Sequence, residues 1–136
     1  MASLATERTR RADAVKRGYT TLRHSDGTIV CERCFVVDTP IARMKGLIGR
    51  SELPAGEGIV IRPCNSIHMF FMRFAIDAIF LDRTNTVVKI AANLKPWRMA
   101  WARRAHAVVE LAAGEAERRG VSLGDHLEFT SAAELS

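Results

Sequence analysis

Three residues able to carry acid–base or anion chemistry, His68, Arg73 and Asp77, stand in an otherwise apolar stretch, NSIHMFFMRFAIDAIFLD, residues 65–82. Read as a strand, its side chains alternate between faces. Ala75, Asp77, Ile79 and Leu81 then share one face, and Phe74, Ile76, Ala78 and Phe80 the other. Both faces are apolar, so the pattern predicts a buried Asp77 whichever way the sheet turns. A buried carboxylate needs a charged or hydrogen-bonding partner, or it neutralises. Arg73 is the nearest cation along the chain, and His68 lies on the preceding strand. One reading is architectural: an Asp77–Arg73 pair, or an Asp77 that accepts backbone N–H groups at the Met72–Phe74 break. The other is a pocket in which His68 and Asp77 exchange protons and Arg73 holds an anion. Met72 would line that pocket, and Trp97 and Arg98 would roof it. Structural ion pairs outnumber active sites, which favours the first reading.

The cysteines offer a second chemistry. Cys31-x2-Cys34 with Cys64-x3-His68 would supply three thiolates and an imidazole, enough for tetrahedral zinc. The segment around Cys31 reads as a strand, however, and a three-residue offset sends two strand side chains to opposite faces. The expectation is therefore no metal site, with three small hydrophobes in its place. Cys64 beside His68 would be a thiol nucleophile only if the fold brings the two together. No cofactor signature is present in the sequence.

The third candidate is KPWRMAWARR, residues 95–104, where Trp97 and Trp101 stand among Lys95, Arg98, Arg103 and Arg104. Indoles that stack bases and cations that neutralise phosphates are the ingredients of single-strand binding. The same ingredients also cover a core edge, with Arg stems packed on indole. GEAERRGVSLGD could offer a helix N-terminus to an anion, but Glu115 and Glu117 in its first turn make a connector the better reading.

The elements that must position these residues are short. TTLRHSDGTIVCERCFVVD predicts a hairpin turning at Asp26-Gly27. DTPIARMKGLIGRS predicts a helix with Thr39 as N-cap, Pro40 at its first position and Gly49 at its end. GIVIRP, residues 67–71, residues 75–81, TVVKIAANL, HAVVEL and HLEFT read as strands. Residues 95–104 read as a loop, or a loop with one helical turn, and a second short helix follows Gly114. About seven short strands with two short helices predict a mainly β, β-rich α+β fold, a compact barrel or sandwich. A basic arm over 1–18, one β-rich domain over 19–130 and a disordered tail over 131–136 complete the expected organisation.

The chain has 136 residues and a net charge of +5, and the charge is local. Residues 1–23 carry +4 and residues 95–104 another +4, so the remainder is net −3. A basic tail and a basic loop are thus candidate contacts for nucleic acid or an acidic partner, while the domain as a whole is not a polyanion binder. No apolar run is long enough to span a membrane, and the start, MASLATERTRRADAVKRGY, has no apolar secretory core. The expectation is a cytoplasmic protein with free thiols and no membrane contact.

ARMKGLIGRSELPAGEGIVI, IHMFFMRFAIDAIFLD, VVKIAANLKPW and VVELAAGEAERRGVSLGDHLEF, taken in order, resemble the prokaryotic family known as domain of unknown function one-ninety-two. The resemblance covers roughly residues 30 to 129. It implies a small barrel-like β-rich fold with two minor helices, and no agreed activity. Met69 and Phe71 depart from the residues usual at those places, and Cys31 and Cys34 lie outside the family pattern.

These readings lead to a small binding domain with a polar pocket for a small ligand, an anion among the candidates, built from His68, Met72, Arg73, Asp77, Trp97 and Arg98. The alternatives are an acid–base or thiol hydrolase using His68, Asp77 or Cys64, and a nucleic-acid accessory protein using residues 95–104.

Overall fold

The computed structural model describes residues 19–37 and 52–131. The predicted N-terminal arm, the helix expected over 39–49 and the tail beyond Ser131 lie outside these residues. Nine strands and one short helix are described: β1 (Tyr19–His24), β2 (Ile29–Val37), β3 (Glu57–Ile61), β4 (Ser66–His68), β5 (Ile76–Leu81), β6 (Val87–Leu94), β7 (Met99–Trp101), β8 (Ala107–Ala112), α1 (Glu115–Arg118) and β9 (Leu127–Ser131). Seven strands form one sheet in the order β6-β5-β8-β3-β2-β1-β9, and β4 pairs with β7 in a separate ribbon. Among the described strands only β2 and β3 pair in parallel. The sheet curls until its edges meet: Thr86 bridges His126, the Val87 N–H donates to the Asp125 carbonyl, and the Leu127 N–H donates to the Asn85 carbonyl. The mainly β, barrel-like expectation is met as a curled half-barrel.

The β1–β2 hairpin follows from local chemistry. The Asp26 carboxylate accepts from the Thr28 N–H and hydroxyl at 2.8 and 2.6 Å. Those bonds hold the Asp26 carboxyl below the usual carboxylate range. Gly27 takes a φ of 93°, which a side chain would resist. Gly58 is needed for a different reason. A Cβ there would lie 2.7 Å from Leu111 Cδ2 and 2.9 Å from the Glu110 carbonyl oxygen, so β3 could not lie so close to β8.

Two cores lie on the two faces of the sheet. Leu22, Val60, Ile79, Leu81, Val109, Leu111 and Leu127 fill the inside of the curl, where Val87 and Leu127 meet from opposite edges. Ile59, Ile76, Ala78, Phe80 and Val108 form the second core, which Ile67, Met69, Met72 and Ala100 cover from the ribbon and its loop. Helix α1 closes the first core with Ala116, and Val121 follows it in. Arg119 ties α1 to β2 by a two-bond contact with Glu32 at 2.7 and 3.0 Å, and it also reaches Glu115 at 3.1 Å. The Arg119 guanidinium holds the Glu32 carboxyl below its usual range.

The structure differs from expectation in two elements. Residues 95–104 contain strand β7, which was expected as loop, and the strand expected over 67–71 is the shorter β4. Phe71 explains the second difference: its φ of 67° breaks extension. The Met69 carbonyl instead accepts from Met72 and Trp97, at 3.2 and 2.8 Å.

Candidate functional site

Asp77 is only 1% exposed, as its neighbours predict. Its partners are backbone amides. Oδ1 accepts from the Asn93 N–H at 2.8 Å, and Oδ2 accepts from Gly114 and Ala116 at 3.0 and 2.9 Å. Each amide has a reason to need an acceptor. Asn93 sits in a bulge of β6, since Ile76 pairs with Leu94 while Ala78 pairs with Ala91, and its φ is 51°. Gly114 and Ala116 open α1, where the first amides lack intrahelical partners. The carboxylate thus ties β5 to the bulge of β6, where the ladder is interrupted, and to the start of α1. The backbone-acceptor alternative describes this residue, with donors from 93, 114 and 116 in place of the Met72–Phe74 break.

The other predicted site residues lie on the far side of the sheet from Asp77. Ile76 and Ala78, on either side of it, face the second core on which the ribbon packs. Met72 is buried in that core. Arg73 is exposed on the loop before β5. His68, Trp97 and Arg98 do come together. In the ribbon Ser66 pairs with Trp101, Ile67 with Ala100 and His68 with Met99. Alternation buries Ile67 and Ala100 and turns Ser66, His68, Met99 and Trp101 outwards. The His68 ring stacks on Phe70 at 4.6 Å, Phe70 stacks on Trp97 at 5.9 Å, and Phe71 tilts against Trp97 at 5.0 Å. The result is an aromatic shelf in which Phe71, Trp97 and Trp101 are 66%, 60% and 62% exposed.

The shelf is held by backbone, not by burial. The Met69 N–H donates to the Arg98 carbonyl at 2.7 Å and the Trp97 N–H donates to the Met69 carbonyl at 2.8 Å. Trp97, like Phe71, is left-handed, with φ 69°. Bulky residues in that region cost of order 1–3 kcal/mol each, and such strain concentrates at functional sites. Lys89 steadies the other end. Its Nζ donates to the Trp101 carbonyl at 2.8 Å and lies 5.5 Å from the indole centroid.

The cysteine expectation needs a correction. Cys31 and Cys34 do not face opposite ways; both are fully buried in the first core. A bulge in β2 is the cause: Leu22 pairs with Cys31 and Thr20 with Cys34, so three steps on β2 match two on β1. The Cys31 thiol contact and burial push the Cys34 thiol well above its usual range. Cys64 lies apart, packed against the second core, and its thiol donates to the Ser66 carbonyl at 3.0 Å. Among the described residues no three His, Cys, Asp or Glu side chains converge as a metal site would require.

Glu110 was missed in the sequence. It pairs with Ile59 on one side and Ala78 on the other, in the sheet row that continues to Phe35 and Ala91. Burial raises its carboxyl to about 7. The signal was available, because an acid within HAVVEL is as anomalous as Asp77 within FAIDAIF.

Fold and shelf together define a small curled β-sheet protein that displays an aromatic ribbon. The family model described as an uncharacterized ACR, DUF192, matches residues 21–129, and the chain belongs to that family. A UPF0127 protein of Pyrococcus furiosus is 45% identical over 65 residues, which span 47% of this chain and 55% of that protein, about half of its length. A UPF0127 protein of Thermococcus sibiricus is 28% identical over 113 residues, 79% of this chain and 73% of its own. The crystal structure of a protein of unknown function from Novosphingobium aromaticivorans aligns with a TM-score of 0.70 at 29% identity, covering 81% of this chain and 83% of that one. A protein of Sinorhizobium meliloti, described as a putative transcription regulator, aligns with a TM-score of 0.72 at 24% identity, covering 82% and 92%; that likeness concerns the fold alone. Among the described residues no helix is long and apolar enough to cross a membrane.

Proposed function

We propose that this protein is a binding domain whose recognition surface is the aromatic shelf, and that its ligand is an anion carrying a flat or apolar body. The observation that carries the reading is the set of rings His68, Phe70, Phe71 and Trp97, stacked on one another yet left exposed. Exposed apolar side chains gathered in one place mark interaction sites, whereas scattered ones need no explanation. Arg73 and Arg98 flank the rings and would meet the negative charge. The site differs from a pocket closed by Asp77 and Met72: it uses His68, Arg73, Trp97 and Arg98 and leaves the other two to the core.

The test is a titration with 8-anilinonaphthalene-1-sulfonate, an aromatic anion that fluoresces when desolvated. Saturable binding near one equivalent is expected. Trp97→Ala should abolish it, while Leu123→Ser, which removes an exposed apolar residue elsewhere, should leave it intact. Equal binding by both variants would remove the shelf as the site.

A further inference from the structure

The charge around the shelf narrows the ligand. Its rings come from residues 65–76 and 89–106, and these two segments contain six Lys and Arg and no Asp or Glu. The whole chain is only +5, so everything outside them is net −1. Arg73, Lys95 and Arg98 are exposed on the loops that bear Phe71 and Trp97, and Arg103 and Arg104 are exposed just past Trp101. Cations without a single carboxylate, interleaved with exposed rings over the 30 residues of these two segments, would suit a polyanion that also has flat apolar faces.

Building on that reading, we infer that the shelf binds single-stranded nucleic acid without strict sequence preference, with bases on the rings and phosphates on the flanking arginines. Three features support this occupant over others. The rings of His68, Phe70 and Trp97 stack on one another at 4.6 and 5.9 Å into one continuous aromatic patch, and a base would stack on the ring area this patch leaves exposed. Trp97 and Phe71 stand on left-handed backbone and tilt against each other at 5.0 Å, a contact that lowers the ordering cost of binding. Trp101 continues the line of exposed rings towards Arg103 and Arg104, which gives the surface length as well as charge. A duplex hides its base faces and would use only the cations. An acidic peptide would use the cations and leave most of the ring area unmatched.

The experiment uses the full chain and a 5′-labelled oligothymidylate of about twelve nucleotides, followed by fluorescence anisotropy. Saturable binding is expected, with quenching of tryptophan emission. Trp97→Ala should weaken it roughly 5- to 150-fold, the range for loss of one base-stacking ring, and Trp97→Phe should restore most of the affinity. With about three phosphates neutralised, affinity should fall about 20-fold between about 50 mM and about 200 mM salt. Arg103→Gln with Arg104→Gln should flatten that dependence. Equal affinity for a duplex of the same length, for polyglutamate or for phosphatidylserine vesicles would overturn the inference, as would an unchanged Trp97→Ala. If the sulfonate dye binds at Trp97 and the oligonucleotide does not, the binding domain stands and this inference falls. If neither binds, both fall.

Discussion

Replacing Glu110 by Gln should stabilise the protein at alkaline pH and leave it nearly unchanged in acid. The carboxyl is buried between Ile59 and Ala78 and titrates at about 7, against an ordinary value of 4.5. A carboxyl whose folded value is raised favours the folded state when protonated. That stability is fully present below about pH 4.5 and is lost as pH rises through about 7. At about 1.4 kcal/mol per tenfold change in proton affinity, the loss amounts to about 3 kcal/mol. Glutamine has the shape of the protonated acid and does not ionise. Urea unfolding of both proteins at about pH 5 and about pH 8 isolates Glu110, because every other titrating group is common to the pair. The difference should be within about 1 kcal/mol at the lower pH and should favour Glu110→Gln by about 2–3 kcal/mol at the higher. A difference that does not change with pH would refute the reasoning, and would mean that Glu110 is charged and solvated in the folded protein.

Asp77→Asn should cost about 3 kcal/mol or more in the same assay. Asparagine offers one carbonyl oxygen for three inward-pointing N–H groups and sets its own N–H₂ against the remainder; a neutral result would mean that these amides find other acceptors. Trp97→Gly should change stability by no more than about 1 kcal/mol, because relief of the left-handed strain offsets the lost ring contacts. A loss above about 3 kcal/mol would make Trp97 part of the core instead of a display residue. Iodoacetamide should label Cys64 on the order of 100-fold faster than Cys31 or Cys34 in the native protein, read by mass spectrometry, since both of the latter are fully buried. Labelling of all three at one rate would contradict that placement.

What could be read from the sequence was what neighbours in the chain determine. Asp26-Gly27 carries its turn within four residues, and the burial of Asp77 follows from the residues beside it. The partners of Asp77 could not be read, because the amides it binds lie 16, 37 and 39 residues away. Strand β7 was hidden for another reason. It has three residues, and its outward side chains are Met99 and Trp101, so no polar–apolar alternation betrays it. Cys31 and Cys34 were placed by a periodicity that holds only in a regular strand. The bulge that breaks it depends on how β1 lies against β2, and their local sequence does not encode that register. His68 and Trp97 come together through Phe70, and what they share is a surface and not a cavity.

The place of β1 in the sheet bears on how the protein comes to exist. β1 lies between β2, its immediate successor, and β9, more than a hundred residues later, with Thr20 opposite Ser131 and His24 opposite Leu127. The first strand described is therefore completed by the last. During synthesis the β1–β2 hairpin can form early, but its outer edge stays open until β9 has left the ribosome, and the inner core cannot close without Leu127. Such long-range pairing slows folding, and an unpaired edge in the meantime invites other chains. A protein of this topology should fold as one late event once β9 has emerged, and a ribosome stalled before residue 127 should hold a chain that is sensitive to protease throughout.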